Sequence, residues 1–257
     1  MSKPNINRAA VVRMLKRREV LGFLGATASI GLAGCFRNPS GADRASAQAP
    51  PVTIAQATST ANCVVRPQQT EGPYFVDEAL NRSDIRSDPS NGAIKSGTAL
   101  QLVFQVSQVS NGACTPLKDA IVDVWHCDAE GVYSDVSDRR FNTVGQRLLR
   151  GFQVTDTTGT VQFITIYPGW YPGRTVHIHF KIRGTSPSSN YEFTSQIYFD
   201  DTLTDRVFAH SPYADRGERT VRNDQDGIFG RGGTALIVPV VQEGDRYTGR
   251  FNIGLEL

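Results

Sequence analysis

The chain has 257 residues, of which 27 are basic, 25 acidic and 39% hydrophobic. Residues 1–34 hold six of the basic residues and one of the acidic ones, which leaves 21 against 24 and a net charge of about −3 for the remainder. No basic stripe with interleaved aromatic residues remains, so composition gives no electrostatic support for nucleic-acid binding.

Residues 1–35 predict a signal peptide. A basic region precedes a weakly apolar stretch at residues 20–33, which is shorter than the roughly 20 residues that span a bilayer. Arg17 and Arg18 stand directly before that stretch, as in twin-arginine signals, and the LAGC run ending at Cys35 resembles a bacterial lipobox. The alternative is a chance arginine pair in a Sec signal with an ordinary cleavage site. We expect export to the periplasm or cell surface, with a lipid anchor on Cys35 if the lipobox is used.

Residues 36–60 predict a flexible tether. They are rich in Ala, Ser, Pro, Gln and Thr, with almost no large apolar side chain to offset the entropy of ordering. Residues 61–257 remain as one domain, large enough for a substantial core. We expect the fold to begin there.

Cysteine usage fits export. With Cys35 assigned to lipid, Cys63, Cys114 and Cys127 remain, and an oxidising compartment permits one disulfide among them. Cys63 and Cys114 both lie beside turn-like segments, which favours that pair. Cys127 would then be a buried free thiol.

Hydrophobic patterning predicts an all-β domain. Leu100, Leu102, Phe104 and Val106 alternate with polar neighbours, as in a half-buried strand. Predicted strands lie at 100–106, 120–125, 161–166, 176–182, 193–199, 235–241 and 247–255. Gly-, Pro- and Asn-rich turns separate these segments, and helical periodicity is scarce. We expect a β-sandwich with little helix, whose site lies on long loops.

His177 and His179 stand two residues apart in the predicted strand VHIHFKI. Side chains at i and i+2 of a strand point to the same face, so both imidazoles could contribute to one metal site. The pattern alone is weak, because two hydrogen-bonded histidines on a wet sheet face fit it equally well.

Two tyrosines stand close to this strand. Tyr171 lies in the turn YPGWYPGR, together with Arg174, and Tyr133 ends the segment WHCDAEGVYS. Taken singly, each tyrosine is more often a core or rim residue. However, no carboxylate lies next to the histidines to complete a ferrous facial triad, and no further histidine completes a three-histidine zinc site. Phenolate is a hard anionic ligand that suits ferric iron.

Several segments in a fixed order carry a family resemblance. The runs VDVWHCDAEGVYS, LLRGFQVTDTTGTVQFITIYPGWYPGRTVHIHFKI and TSQIYF strongly resemble the intradiol ring-cleavage dioxygenases, the family of protocatechuate 3,4-dioxygenase and catechol 1,2-dioxygenase. TEGPYFVDEALNRSDIR at 70–86 and RNDQDGIFG at 222–230 extend the resemblance over most of the chain after residue 61.

The resemblance implies a ferric iron, Fe(3+), with four protein ligands. Tyr133 matches the tyrosine that stays bound to iron throughout the cycle, and Tyr171 matches the one that leaves when substrate arrives. His177 and His179 match the two imidazole ligands. The reaction implied is cleavage of a catechol-type ring by O2 to a cis,cis-muconate-type product.

It also implies roles around the metal. Arg174 matches an arginine that stabilises negative charge on the substrate ring, and Gln196 matches a glutamine close to the reacting carbon. Gly72, Pro73 and Tyr74 match the stretch that lines the substrate cavity, and Trp170 is expected to contribute to the cavity wall.

The sequence departs from the family pattern in the cavity wall. Gly173 stands where protocatechuate enzymes carry a tryptophan, and Trp170 precedes Tyr171. The helical amino-terminal domain through which catechol 1,2-dioxygenases dimerise has no counterpart in the pattern. The chain is more similar to an exported, single-domain branch, and a homodimer stays open.

Two alternatives to this function remain open. One is a non-catalytic exported β-sandwich lipoprotein that binds catecholates or metal, since a fold alone does not give a function. Such a binder needs the ligands but not Arg174 and Gln196. The other is a ferric dioxygenase acting on non-catecholic phenols, which would share the same ligands.

Overall fold

The structure is a computed structural model that describes residues 63–185 and 190–257. The predicted signal peptide (1–35), with Cys35, and the predicted tether (36–60) lie outside the described residues. Within the described ranges, no helix is long and apolar enough to cross a membrane. The regular elements in chain order are β1 (Ala99–Ser110), β2 (Ala113–Pro116), β3 (Ile121–Trp125), β4 (Arg150–Val154), β5 (Thr160–Ile166), β6 (His177–Thr185), β7 (Asn190–Tyr198), α1 (Asp201–Phe208), β8 (Val240–Glu243) and β9 (Arg246–Glu256). Three short 3-10 helices follow α1, at Ala214–Arg216, Asn223–Gln225 and Gly233–Leu236.

The strands form two sheets. In the first sheet, one edge of β1 pairs antiparallel with β5 over its first half and with β2 near its end. The other edge of β1 pairs parallel with β9, and β9 pairs antiparallel with β8. The second is antiparallel, in the order β4-β3-β6-β7. The predicted β-sandwich is therefore confirmed.

Aromatic side chains from both sheets fill the space between them. Phe104 of β1 lies 5.4 Å from Phe180 of β6 between ring centroids, and Phe180 lies 5.6 Å from Phe251 of β9. All three are at most 1% exposed, so their apolar surface is removed from water. This core supports the central strand β6, which also carries the two histidines.

Patterning missed the structure between β7 and β9, whereas the strand predicted at 247–255 is β9. Residues 235–241 do not form one strand, because Gly233–Leu236 is a 3-10 helix and β8 begins only at Val240. The apolar pattern at Leu236 and Val238 reflects burial of both side chains in the core, not a continuous strand. Helix α1 was also missed, although Asp200 caps it by accepting hydrogen bonds from the N–H groups of Thr202 and Leu203.

A disulfide joins Cys63 and Cys114, the pair that the turn-like context favours, and Cys127 is a buried free thiol. The disulfide ties the start of the described chain to β2. From there the chain runs across the second sheet, where Gln69 N–H donates to Thr194 O of β7. The segment before Gly72 is therefore held by the disulfide at Cys63 and by the hydrogen bond at Gln69.

Candidate metal centre

Strand β6 places His177 and His179 on one buried face, and each is 2% exposed. Their Nε2 atoms lie 3.1 Å apart. His179 stands between Trp125 of β3 and Gln196 of β7 in the strand register. The Trp125 indole stacks on the His179 ring, with centroids 5.0 Å apart and planes 9° from parallel. The strand therefore brings both imidazoles to the same face of the sheet, and the Trp125 indole fixes the orientation of the His179 ring.

Both histidines are neutral and offer a lone pair. The Nδ1 of His177 lies 2.7 Å from Thr175 O, and since a carbonyl can only accept, we assign the proton to Nδ1. This tautomer leaves Nε2 as the free base. Burial, reinforced by the nearby Arg174 charge, lowers the pKa of His177 to about 3. Burial and the neighbouring His177 hold the pKa of His179 well below its usual value.

The two tyrosines close the other side of the site. Tyr171 Oη lies 3.1 Å from His177 Nε2, and the Tyr171 and Tyr133 rings meet edge to face with centroids 5.8 Å apart. Tyr133 is 1% exposed, and its Oη has no hydrogen-bond partner among the described residues. Burial raises the pKa of both phenols, so a phenolate there requires a compensating cation.

These residues fit a ferric ion. An orphaned buried phenol and two converging lone pairs have unmet bonding capacity of the kind a metal satisfies. The two Nε2 atoms are 3.1 Å apart, close enough for both to bind one ion. Within the described residues, no three His, Cys, Asp or Glu side chains cluster as a metal site. Any metal held here would therefore depend on phenolate donors, which favours a hard trivalent cation.

A polar network lies beside the histidines. Arg174 Nη2 donates to Gln196 Oε1 at 2.5 Å, and its Nη1 lies 3.4 Å from His177 Nε2. The Arg174 Nε donates to Asp226 Oδ2 at 2.8 Å, and Gln196 Nε2 donates to Thr70 O at 2.9 Å. The guanidinium of Arg174, which is predicted to stabilise negative charge, therefore faces the His177 imidazole, and hydrogen bonds to Asp226 and Gln196 fix its position.

Asp226 is a member of this network that sequence reasoning did not single out. Its buried carboxylate also accepts from the N–H groups of Thr175, Ile228 and Phe229. Burial alone would raise its pKa, but these hydrogen bonds and the charge of Arg174 hold the pKa of Asp226 below its usual value. The only signal was the run RNDQDGIFG, which contributed to the family resemblance without a role for its acidic residues.

The predicted cavity wall divides into two groups. Gly72 lies against His179, since a Cβ on Gly72 would come 3.2 Å from His179 Cε1. The Tyr74 ring lies beside the Tyr133 ring at a tilt of 30°, with centroids 4.5 Å apart, and Pro73 connects Gly72 to Tyr74 in the sequence. Trp170 instead packs against the main core, and its ring lies under Arg216, with 4.6 Å from the guanidinium carbon to the ring centroid. Gly72 and Tyr74 therefore contact two of the four residues of the centre, whereas the contacts of the Trp170 ring are with Arg216 and the main core.

Comparisons with known proteins identify the family. Residues 70–225 match the family model described as dioxygenase. The protocatechuate 3,4-dioxygenase beta chain of Burkholderia cepacia is 30% identical over 156 residues, which is 56% of this chain and 65% of that protein. The alignment therefore spans slightly less than two thirds of that relative.

Solved structures agree. An intradiol ring-cleavage dioxygenase from Tetranychus urticae has a TM-score of 0.65 at 32% identity, covering 76% of this chain and 95% of that chain. The dioxygenase domain of a dioxygenase carbohydrate-binding protein fusion from Streptomyces sp. SirexAA-E has a TM-score of 0.53 at 28% identity, covering 76% and 99%. The chain belongs to the intradiol ring-cleavage dioxygenase family, whose members generally depend on non-haem iron.

Proposed function

We propose that this chain is a ferric, non-haem intradiol dioxygenase that cleaves a catechol-type ring with O2 to a cis,cis-muconate-type product. The observation that carries the proposal is the meeting of two histidines and two tyrosines beside a braced arginine. His177 Nε2 lies 3.1 Å from both His179 Nε2 and Tyr171 Oη, and 3.4 Å from Arg174 Nη1. A site that only stores metal would have no evident need for the Arg174–Gln196 network.

The proposed ligands are Tyr133, Tyr171, His177 and His179. When bound, ferric iron would act as a Lewis acid that binds the diol oxygens and makes the ring reactive toward O2. The two phenolates would offset most of its charge, which makes burial of the ion tolerable.

The two tyrosines have different freedom to move. Tyr133 is 1% exposed and covered by Tyr74, so its ring is confined. Tyr171 is half-buried, and the next residues, Pro172 and Gly173, are exposed. We assign to Tyr171 the role of leaving the metal when a diol binds and of accepting a diol proton at Oη.

Arg174 is placed to act on charge that develops on the ring. Its guanidinium faces the imidazoles, while Asp226 and Gln196 fix its direction before any substrate arrives. A preorganised donor of this kind stabilises developing negative charge without further rearrangement. Gln196, which is fully buried and anchored to Thr70 O, positions Arg174 as well as closing the site.

A substrate panel tests the proposal. Purified protein would be supplied with O2 and catechol, protocatechuate, hydroxyquinol, or alkyl- and chloro-catechols, and the products identified by mass spectrometry. The proposal expects at least one diol to yield a muconate-type diacid. Cleavage outside the two hydroxyl groups, or no consumption of any diol by iron-loaded protein, would contradict it.

We further propose export with lipid anchoring at Cys35, which rests on the basic and apolar pattern of residues 1–35. The 25-residue tether of residues 36–60 would let the domain stand clear of the membrane. Mass spectrometry of the mature amino terminus tests this. Cleavage elsewhere, or an unmodified Cys35, would refute the anchor.

A further inference from the structure

A segment outside the candidate metal centre holds the backbone that leads to Tyr171. Tyr213 Oη donates to Tyr167 O at 2.6 Å. Three residues later, Arg216 Nη1 donates to Trp170 O at 2.5 Å, and its guanidinium lies over the Trp170 indole. Both ends of residues 167–170 are therefore tied to the 3-10 helix Ala214–Arg216 and the residue before it.

The opposite face of residues 167–170 rests on the loop that leads to Tyr133. Gly169 N–H donates to Asp128 O at 3.0 Å. A Cβ on Gly131 would come 2.1 Å from Trp170 O, so the two backbones are in direct contact. Arg216 Nη1 also reaches Ala129 O at 3.4 Å. One guanidinium therefore bridges carbonyl oxygens of both loops that end in a tyrosine of the centre.

The chemistry of arginine suits this bridge. Two carbonyl oxygens brought close together repel, and a cationic N–H donor between them relieves that repulsion. The planar guanidinium can donate in its plane while it stacks on an aromatic ring, which an ammonium cannot do equally well. On the other side of Tyr171, no atom of residues 63–185 or 190–257 lies within 4 Å of the position that a Cβ on Gly173 would take, its chain neighbours aside. Tyr171 thus has a fixed backbone before it and an open one after it.

We propose that Arg216 is a positioning residue: by fixing Trp170 O to the Tyr133 loop, it holds Tyr171 Oη at binding distance in the resting state. This inference rests on the proposed function, because it concerns how Tyr171 meets the metal. It also assigns Trp170 to anchoring the Tyr171 loop rather than to touching substrate. The influence of Arg216 is therefore largest in the state in which Tyr171 is bound, and smaller once Tyr133 is the remaining phenolate ligand.

The test compares full-length Arg216→Met with wild type and with Arg206→Met. Arg206 is an exposed arginine on α1 whose side chain makes no hydrogen bond to the residues that the structure describes. Ferric iron is titrated into each apoprotein, and the phenolate-to-iron absorption band is followed. We expect Arg216→Met to bind iron about 10-fold more weakly, the effect typical of a lost supporting contact, with a shifted band. With saturating iron and catechol, its spectrum should differ from that of wild type much less, because Tyr171 no longer contributes and only the contact with Ala129 O of the Tyr133 loop is lost. Arg206→Met should match wild type in both states.

A second variant, Arg216→Lys, keeps the inference testable if Arg216→Met does not fold. Arg216→Lys keeps a cation and an apolar stem, and we expect a smaller shift in the same direction. A wild-type resting band and iron affinity in both Arg216 variants would overturn the inference, as would a catechol-complex spectrum altered as much as the resting one. So would an unfolded Arg216→Met together with a wild-type-like Arg216→Lys. If wild type itself forms no coloured iron complex, the proposed function fails and the inference fails with it.

Discussion

The Nε of Arg174 donates to Asp226 Oδ2 at 2.8 Å, and the carboxylate of Asp226 is fully buried. Because that carboxylate also accepts three backbone N–H groups, it is a rigid support for the guanidinium. The direction in which Arg174 points is therefore set by a residue 52 positions away in sequence.

Replacement of Asp226 should disturb Arg174 without removing it. Asp226→Asn keeps the shape of the side chain but removes its charge and turns N–H groups toward existing donors. We expect turnover to fall on the order of 10- to 100-fold, as for other supporting residues of metal sites, while iron is retained. Steady-state kinetics and metal analysis measure this. Asp224→Asn, exposed two residues away, is the matched control and should behave as wild type.

Removal of Arg174 separates substrate binding from catalysis. Arg174→Ala should keep the iron and its colour, and still show a spectral change with catechol. Loss of a preorganised electrostatic donor costs on the order of 100- to 1000-fold in rate. We expect kcat and kcat/KM to fall together, the pattern of an interaction made only in the transition state. Loss of iron or of the fold would instead indicate that Arg174 braces the Pro172–Gly173 turn, and near-normal turnover would remove its catalytic role.

Gly72→Ala should act through His179. Gly72 has a φ of +75° and its Cβ would crowd His179 Cε1 at 3.2 Å. Gly92 has nearly the same φ, +74°, but no atom in the described part of the chain lies within 4 Å of its Cβ position, so Gly92→Ala reports the backbone strain alone. We expect both variants to lose stability but only Gly72→Ala to bind iron more weakly. Equal iron affinities in the two variants would show that the contact with His179 is unimportant.

The free energy of unfolding should fall in mild acid because His126 is buried in its neutral form. Its Nδ1 lies 2.7 Å from Cys127 O and its Nε2 2.7 Å from Thr165 Oγ1, and burial lowers its pKa to about 4. Because the unfolded chain takes up this proton near pH 6.5 and the folded chain only near pH 4, the stability supported by neutral His126 is present above pH 6.5 and is lost as pH falls toward 4. The pKa difference corresponds to about 3 kcal/mol.

Denaturant unfolding of wild type and His126→Asn at pH 7 and pH 4.5 measures this loss. The variant should be less stable at pH 7 but should lose less stability on acidification, since its side chain does not titrate. Both proteins retain His177 and His179, so their contributions cancel in the comparison. Parallel loss of stability in the two proteins would contradict the assignment to His126.

Local patterns predicted the parts of the site that lie within one element. The alternation of VHIHFKI placed His177 and His179 on one face, and the structure has both imidazoles there. Arg174 and Gln196 carried roles from the family resemblance, and the structure joins them by a hydrogen bond.

Contacts between distant segments could not be read from the sequence. Asp226 and Arg216 support the centre only because the chain after β7 folds back over its loops. Neither residue has a periodic neighbourhood, since both lie in or beside single-turn 3-10 helices. The wrongly predicted strand at residues 235–241 lies in the same part of the chain, where buried side chains of a 3-10 helix and a loop give the apolar pattern of a strand.

The central claim is that Tyr133, Tyr171, His177 and His179 form a ferric site. Metal analysis and the visible spectrum of purified wild type and Tyr133→Phe test it most directly. Wild type should hold iron and be red-brown from phenolate-to-iron charge transfer, and Tyr133→Phe should lose or shift that band. Colourless wild-type protein that holds zinc after growth with ample iron, or a band unchanged in Tyr133→Phe, would contradict the claim.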